Sequence, residues 1–195
     1  MERILHALAG RTFQKGIDIG CGEGHATAAL PVRDMTGVDF SEIAIHRAAK
    51  RYPHIKFETA DILDLSRFPE GAFDFVSCLE LLYYLKPEQQ TAAIAQLKRL
   101  GTANSTYLFS VVTKRLPENI KANYHTTESA MALLSAHFKI KDMFAVTLAT
   151  RLPYWRRALV SLKLDSKTAQ RKKYLFSRAS LRAAYQTAFI CDTKF

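Results

Sequence analysis

The densest chemistry in the sequence lies in Gly16-Ile17-Asp18-Ile19-Gly20-Cys21-Gly22-Glu23-Gly24, where an apolar run breaks at glycines on three alternate positions. Glycine there permits positive φ at a tight turn and lets the backbone and its N–H groups approach a ligand closely. A loop that cradles a dinucleotide pyrophosphate has its third glycine where this chain has His25, so the spacing disfavours that ligand. Asp39 closes the next run, in Gly37-Val38-Asp39-Phe40-Ser41, and an acid at a strand's carboxyl end can accept both hydroxyls of a ribose. Asp61, in Ala60-Asp61-Ile62, could accept from an adenine amine, and Ser77-Cys78-Leu79-Glu80 follows a fourth run. Each acid alone reads as a solvated loop residue. Four successive strand ends that each offer a polar group describe one crevice at a topological switch point.

The elements that must position these groups follow from period and breakers. Glu2 to Ala9 predicts a short helix, and Lys15 to Gly20 a buried first strand. Ala26 to Leu30 is a short helix ended by Pro31, and Met35 to Asp39 a second strand. Ser41 suits the N-cap of a helix from Glu42 to Arg51, closed by Tyr52-Pro53. Strands are expected at Ile55 to Thr59 and Phe73 to Cys78, then a helix at Pro87 to Leu100, with Pro87 in its first turn. Thr106 to Thr113 reads as a fifth strand, Thr126 to Ala136 as a helix, and Phe138 to Leu148 and Tyr185 to Asp192 as extended. Strands alternating with helices give an α/β fold: a Rossmann-like, seven-stranded, mostly parallel sheet with helices on both faces.

With 195 residues, 48% of them hydrophobic, the chain can bury one sizeable core, so residues 1–195 are expected to form a single domain. Its longest apolar stretch, near Phe75 to Leu85, is too short to span a bilayer and is interrupted by Ser77 and Glu80. With no signal-peptide pattern in the first residues, a cytoplasmic location is expected. Cys21, Cys78 and Cys191 are odd in number and widely spaced, which excludes a disulfide framework and offers no zinc signature. The net charge of +10 is concentrated in residues 150–184, which carry ten basic side chains against Asp165 alone. The other 160 residues hold only +1. This basic segment reads as a helical insertion before the last strand and a candidate cap over the sheet.

The motifs Asp18-Ile-Gly-Cys-Gly-Glu-Gly, Gly37-Val-Asp-Phe-Ser, Ala60-Asp-Ile and Phe73-Asp-Phe-Val-Ser-Cys-Leu-Glu resemble those of the class I S-adenosylmethionine-dependent methyltransferases, in order, over roughly residues 12 to 113. The resemblance implies S-adenosylmethionine as cofactor, with S-adenosylhomocysteine as product. It implies Gly20, Cys21 and Gly22 under the methionine moiety, Asp39 and Phe40 at the ribose, and Asp61 with Ile62 at the adenine. Asp18 would support the loop and the methionyl amine, and Leu79 would also line the cofactor site. The family's last strand lies antiparallel beside its fifth, which accounts for the extended C-terminal segment. More narrowly, Leu82-Tyr83-Tyr84-Leu85 is similar to a stretch of the nodulation-type N-methyltransferases.

Methyl transfer needs near-attack geometry and a route for a proton when the nucleophile is a hydroxyl or amine. Glu80, Tyr83 and Tyr84 leave the fourth strand at the crevice and are the catalytic candidates, with His125 more distant. Against this, an aromatic pair in an apolar run more often packs in a core. No Asn/Asp-Pro-Pro-aromatic or Pro-Cys motif points to a base methylase, and no cluster suggests a magnesium site. An O-, N- or C-acceptor on a small molecule, sugar or natural product is expected. The basic segment keeps three readings open: a lid with solvated charges, contact with nucleic acid or another anionic substrate, or adhesion to an anionic membrane surface. A scaffold that binds without turnover is a further alternative.

Overall fold

The computed structural model describes residues 1–112, 123, 125–148 and 184–193. Its strands are β1 (Phe13–Ile19), β2 (Val32–Asp39), β3 (Lys56–Thr59), β4 (Phe73–Leu79), β5 (Gly101–Val112), β6 (Phe138–Leu148) and β7 (Ala184–Thr193). They form one sheet in the order β3-β2-β1-β4-β5-β7-β6. The pairs β2–β3, β1–β2, β1–β4 and β4–β5 are parallel, whereas β7 runs antiparallel to both β5 and β6. The chain thus winds outward from β1 to β3 and then crosses to β4, and the switch point lies at the carboxyl ends of β1 and β4.

Helices α1 (Glu2–Ala7), α2 (Glu42–Arg51), α3 (Pro87–Leu100) and α4 (Thr127–Ser135) cover the sheet, with single 3₁₀ turns at Thr27–Ala29 and Leu82–Tyr84. Local chemistry sets the helix starts. The Ser41 hydroxyl accepts the Ala44 N–H at 3.3 Å, Pro87 opens α3, and the Thr126 hydroxyl accepts the Ser129 N–H at 3.1 Å. Side chains alternate along each strand and so sort into two cores. Ile17, Ile19, Val76, Cys78, Tyr107 and Phe109 pack under α3 and α4 through Ile94, Leu97 and Leu134. Phe13, Phe75, Leu108 and Ile190 pack on the other face with Ile4 and Leu8.

The α/β class, the seven mostly parallel strands and the antiparallel last strand beside the fifth agree with the sequence reading. Several strands begin earlier than expected, β1 at Phe13, β2 at Val32 and β5 at Gly101, while β3 begins one residue later, at Lys56. Cys21, Cys78 and Cys191 are buried free thiols. Among the described residues, no helix is long and apolar enough to cross a membrane. The expected cap at residues 150–184 lies outside the described residues except for its last position.

Candidate functional site

The polar groups of the site stand at the carboxyl ends of the central strands. Asp18 lies opposite Ser77 in the β1–β4 register, so both side chains leave the same face. The Asp18 carboxylate, 1% exposed, accepts from the Ser77 hydroxyl and from the Thr27 hydroxyl of the first 3₁₀ turn, each at 2.7 Å. Burial holds the Asp18 carboxyl above its usual range, while both hydroxyls favour the ionised form. One buried acid therefore ties β1, β4 and the segment after the glycine loop together, and it lies behind the crevice rather than in its wall.

The glycine loop turns its own donors inward. Gly20 and Cys21 donate to the Val38 carbonyl at 2.7 and 3.0 Å, Gly24 donates to the Cys21 carbonyl, and Gly22 donates to Asp39 Oδ2 at 2.9 Å. This differs from the expectation that loop N–H groups face the ligand. Glycine is needed for shape: Gly20 has φ +80°, and a β-carbon there would stand 2.8 Å from Leu81. With these four donors spent, the loop makes a poor nest for a pyrophosphate.

Asp39 occupies both oxygens with backbone, since Oδ1 accepts the Ser41 N–H at 2.9 Å. Each carboxylate oxygen can still accept a second bond, so a ribose diol would meet an acid already oriented by the loop and by the start of α2. Asp61 is exposed, and its Oδ1 accepts the Leu63 N–H at 2.9 Å. Asp39 and Asp61 line one crevice of about 230 Å³, with Gly20, Phe40 and Ile62 also in its wall. Its far wall comes from the residues after β4: Leu81, Tyr84, Leu85 and Gln89.

Glu80 follows β4 directly and, among the described residues, has the only positive φ outside glycine, 57°. A non-glycine residue held there is strained, a state that clusters at functional sites. Its Oε1 accepts from the Ser110 hydroxyl at 2.6 Å, while its buried Oε2 lacks a hydrogen-bond partner. Burial holds the Glu80 carboxyl above its usual range, against the opposing pull of Ser110, Gln186 and Tyr83. Burial also pushes the Tyr83 hydroxyl up, as do neighbouring Tyr84 and Glu80.

The structure thus gathers Gly20, Asp39, Phe40, Asp61, Ile62 and Tyr84 at the crevice, with Glu80 and Tyr83 beside its β4 wall. Four expected cofactor residues do not line the crevice. Asp18 stands behind the loop that it was expected to support, the buried Cys21 thiol points to the Gly22 carbonyl at 3.6 Å, Gly22 gives its N–H to Asp39, and Leu79 packs against the opposite core. Strand alternation explains Leu79, which shares the face of Phe75 and Ser77. His125 is half-buried, with Nδ1 3.2 Å from the Ser129 hydroxyl, and it does not line the crevice. Leu81, Leu85 and Gln89 were not singled out in the sequence, because their place depends on the turn that reverses the chain after β4.

Asp18, Asp39, Asp61 and Glu80 make this sheet edge acidic. Burial raises the Cys21 and Cys78 thiols, and charge from Asp18 raises both further, as does charge from Asp39 for Cys21 and from Glu80 for Cys78. Such a donor set suits a ligand bearing a cation, a ribose and a neutral base, and disfavours one bearing a pyrophosphate. S-adenosylmethionine, with its sulfonium and ammonium groups, fits these residues; NAD does not.

Residues 17–103 match the family described as methyltransferase domain. The ubiquinone biosynthesis O-methyltransferase of Methylococcus capsulatus is 29% identical over 116 residues, which cover 56% of this chain and 47% of that protein. The chain spans about half the length of the curated relatives of this kind that it matches. Among solved structures, the N-methyltransferase NodS from Bradyrhizobium japonicum WM9, in complex with S-adenosyl-L-homocysteine, aligns at a TM-score of 0.70 and 18% identity, covering 100% of this chain and 85% of that one. The [4+2]-cyclase SpnF aligns at 0.67 and 18%, covering 98% and 81%. The sheet order and the acids at its strand ends accompany this match: residues 17–103, just under half of the chain, are similar to a methyltransferase domain, and the fold is the one these solved structures share.

Proposed function

We propose that the protein methylates an oxygen or nitrogen of a small-molecule acceptor, with Glu80 as the group that takes the acceptor's proton. The supporting observation is the strained, half-buried Glu80 carboxylate beside the crevice, with Oε2 unpartnered. When bound, S-adenosylmethionine supplies a methyl carbon on a positively charged sulfur that leaves as a neutral thioether. Asp39 would hold its ribose, Asp61 with Ile62 its adenine, and the glycine loop its methionine half. Because Glu80 Oε2 is closed to solvent, the acceptor's O–H or N–H would reach it only once the adjoining crevice wall yields, with its lone pair then facing the methyl carbon. As the new bond to carbon forms and the carbon–sulfur bond breaks, the proton passes to Oε2. The Ser110 hydroxyl donates to Oε1 and fixes the other oxygen's aim. A carboxyl raised by burial accepts a proton more readily than an ordinary glutamate, and it must be ionised to do so.

SpnF is named a cyclase rather than a methyltransferase, so the fold by itself does not carry this reading. The proposal is tested by incubating the protein with methyl-labelled S-adenosylmethionine and a panel of phenols, alcohols, amines, carboxylic acids and RNA. Label on a small-molecule hydroxyl or amine supports it. Label on RNA alone, or none from a protein that binds the cofactor, contradicts it and favours an anionic substrate or a binding scaffold.

A further inference from the structure

The 3₁₀ turn Leu82–Tyr84 presents two adjacent tyrosines whose surroundings differ. Tyr83 is 6% exposed and interacts with Glu80, whereas Tyr84 is 62% exposed and lines the crevice with Asp39, Asp61 and Ile62. Phe40, 75% exposed, lines the same crevice. Phe40 follows β2 and Tyr84 follows β4, and these strands flank β1 on either side, so the two rings rise on either side of the glycine loop. Two large aromatic faces left open to water, on the crevice that also holds Asp39, Asp61 and Ile62, can flank a planar base.

The turn beneath Tyr84 is held firmly. Gln90, buried in α3, donates from Nε2 to the carbonyls of Leu82 and Leu85 at 3.1 and 3.2 Å. Asn123 donates its backbone N–H to the Tyr83 carbonyl at 2.7 Å and its side-chain amide to the Leu85 carbonyl at 2.8 Å. Leu81, just before the turn, packs against Gly20. Tied by its backbone and packed on the Tyr83 ring at 4.5 Å between centroids, the Tyr84 ring keeps its position over the crevice, which is how a preorganised stacking wall is built.

We propose that Tyr84 is a stacking wall of the nucleoside subsite, opposite Phe40, and that only Tyr83 of the pair belongs to the acceptor side with Glu80. This rests on the cofactor reading above and divides the two tyrosines that the sequence treated alike as catalytic candidates. The phenol oxygen of Tyr84 has no part in it; the ring face does the binding.

The test titrates S-adenosylhomocysteine and 5′-methylthioadenosine, which keeps the nucleoside but lacks the amino-acid tail, into the unsubstituted protein, Tyr84→Ala and Tyr84→Phe. Tyr84→Ala is expected to weaken both ligands by a similar factor, about ten-fold, and Tyr84→Phe to restore both. Because the side chain is largely exposed, the thermal midpoint should hold in both variants. Unchanged affinity for both ligands in Tyr84→Ala would overturn the assignment, as would a loss confined to S-adenosylhomocysteine, which would place the ring at the amino-acid tail. If the unsubstituted protein bound neither ligand, the cofactor reading itself would fall, and this assignment with it.

Discussion

Asp39 spends both oxygens on backbone N–H groups, from Gly22 and Ser41, before any ligand arrives. Asp39→Ala should therefore weaken S-adenosylhomocysteine by about 1–3 kcal/mol, through lost ribose bonds and a loosened loop; calorimetry that found unchanged affinity would place the crevice elsewhere. Glu80 carries the second prediction. Its carboxyl is held high by burial and acts as a base only when ionised, so the methylation rate should rise as pH climbs through its raised pKa and then level off. Glu80→Gln should lose that rising limb and about 10²–10⁴-fold in rate while keeping S-adenosylhomocysteine affinity. A variant with the parent's pH profile would remove Glu80 from the chemistry. Asp39, Asp61 and Glu80 were legible because a strand and its last residue can be read from apolar runs and breakers. The fate of Leu79 was not, because one step of strand alternation sends its side chain to the opposite core. The inward-facing loop donors were also hidden, since glycine spacing says where a turn is sharp and not where its N–H groups point.

At the scale of elements, Asp18 joins β1, β4 and the first 3₁₀ turn through two hydroxyls. Its carboxyl is raised in the folded protein by burial, so the fold binds that proton more tightly than the unfolded chain does. The resulting stability is fully present below the ordinary aspartate value and lost as pH rises through the folded value. Asparagine can accept from one hydroxyl and donate to the other without a buried charge. Asp18→Asn should thus raise the thermal midpoint by several degrees at pH 8, with the gap closing toward acid, and at the same time weaken S-adenosylhomocysteine. A midpoint below the parent's at every pH would show that the ionised carboxylate stabilises the fold. The boundaries of α2 and α3 were readable from Ser41 and Pro87, which act within one turn of themselves. The early starts of β1 and β5 were not, because exposed Gln14 and Asn104 carry no apolar signal, and pairing with neighbouring strands extends them.

The whole molecule is electrically divided in its sequence: nearly all of the +10 charge falls in residues 150–184, while Asp39 and Asp61 line the crevice, with Glu80 beside it and Asp18 behind. S-adenosylmethionine carries one more positive charge than its product. An acidic crevice should favour the charged ligand at low salt, and the ratio of the two affinities should shift toward the product by about three-fold between 50 and 500 mM NaCl. A ratio independent of salt would mean that the acids are neutralised in the working protein. The mostly parallel sheet and its antiparallel ending were readable from alternating strands and helices together with the motifs; the strand order came from the structure, and the role of the basic segment was not readable, because charge without a partner names no ligand. The most direct test of the central claim is a calorimetric titration of the unsubstituted protein with S-adenosylhomocysteine beside NAD. Inward loop donors, an oriented Asp39 and an acidic sheet edge require micromolar binding of the first and none of the second. Binding of NAD, or of neither, would contradict the account.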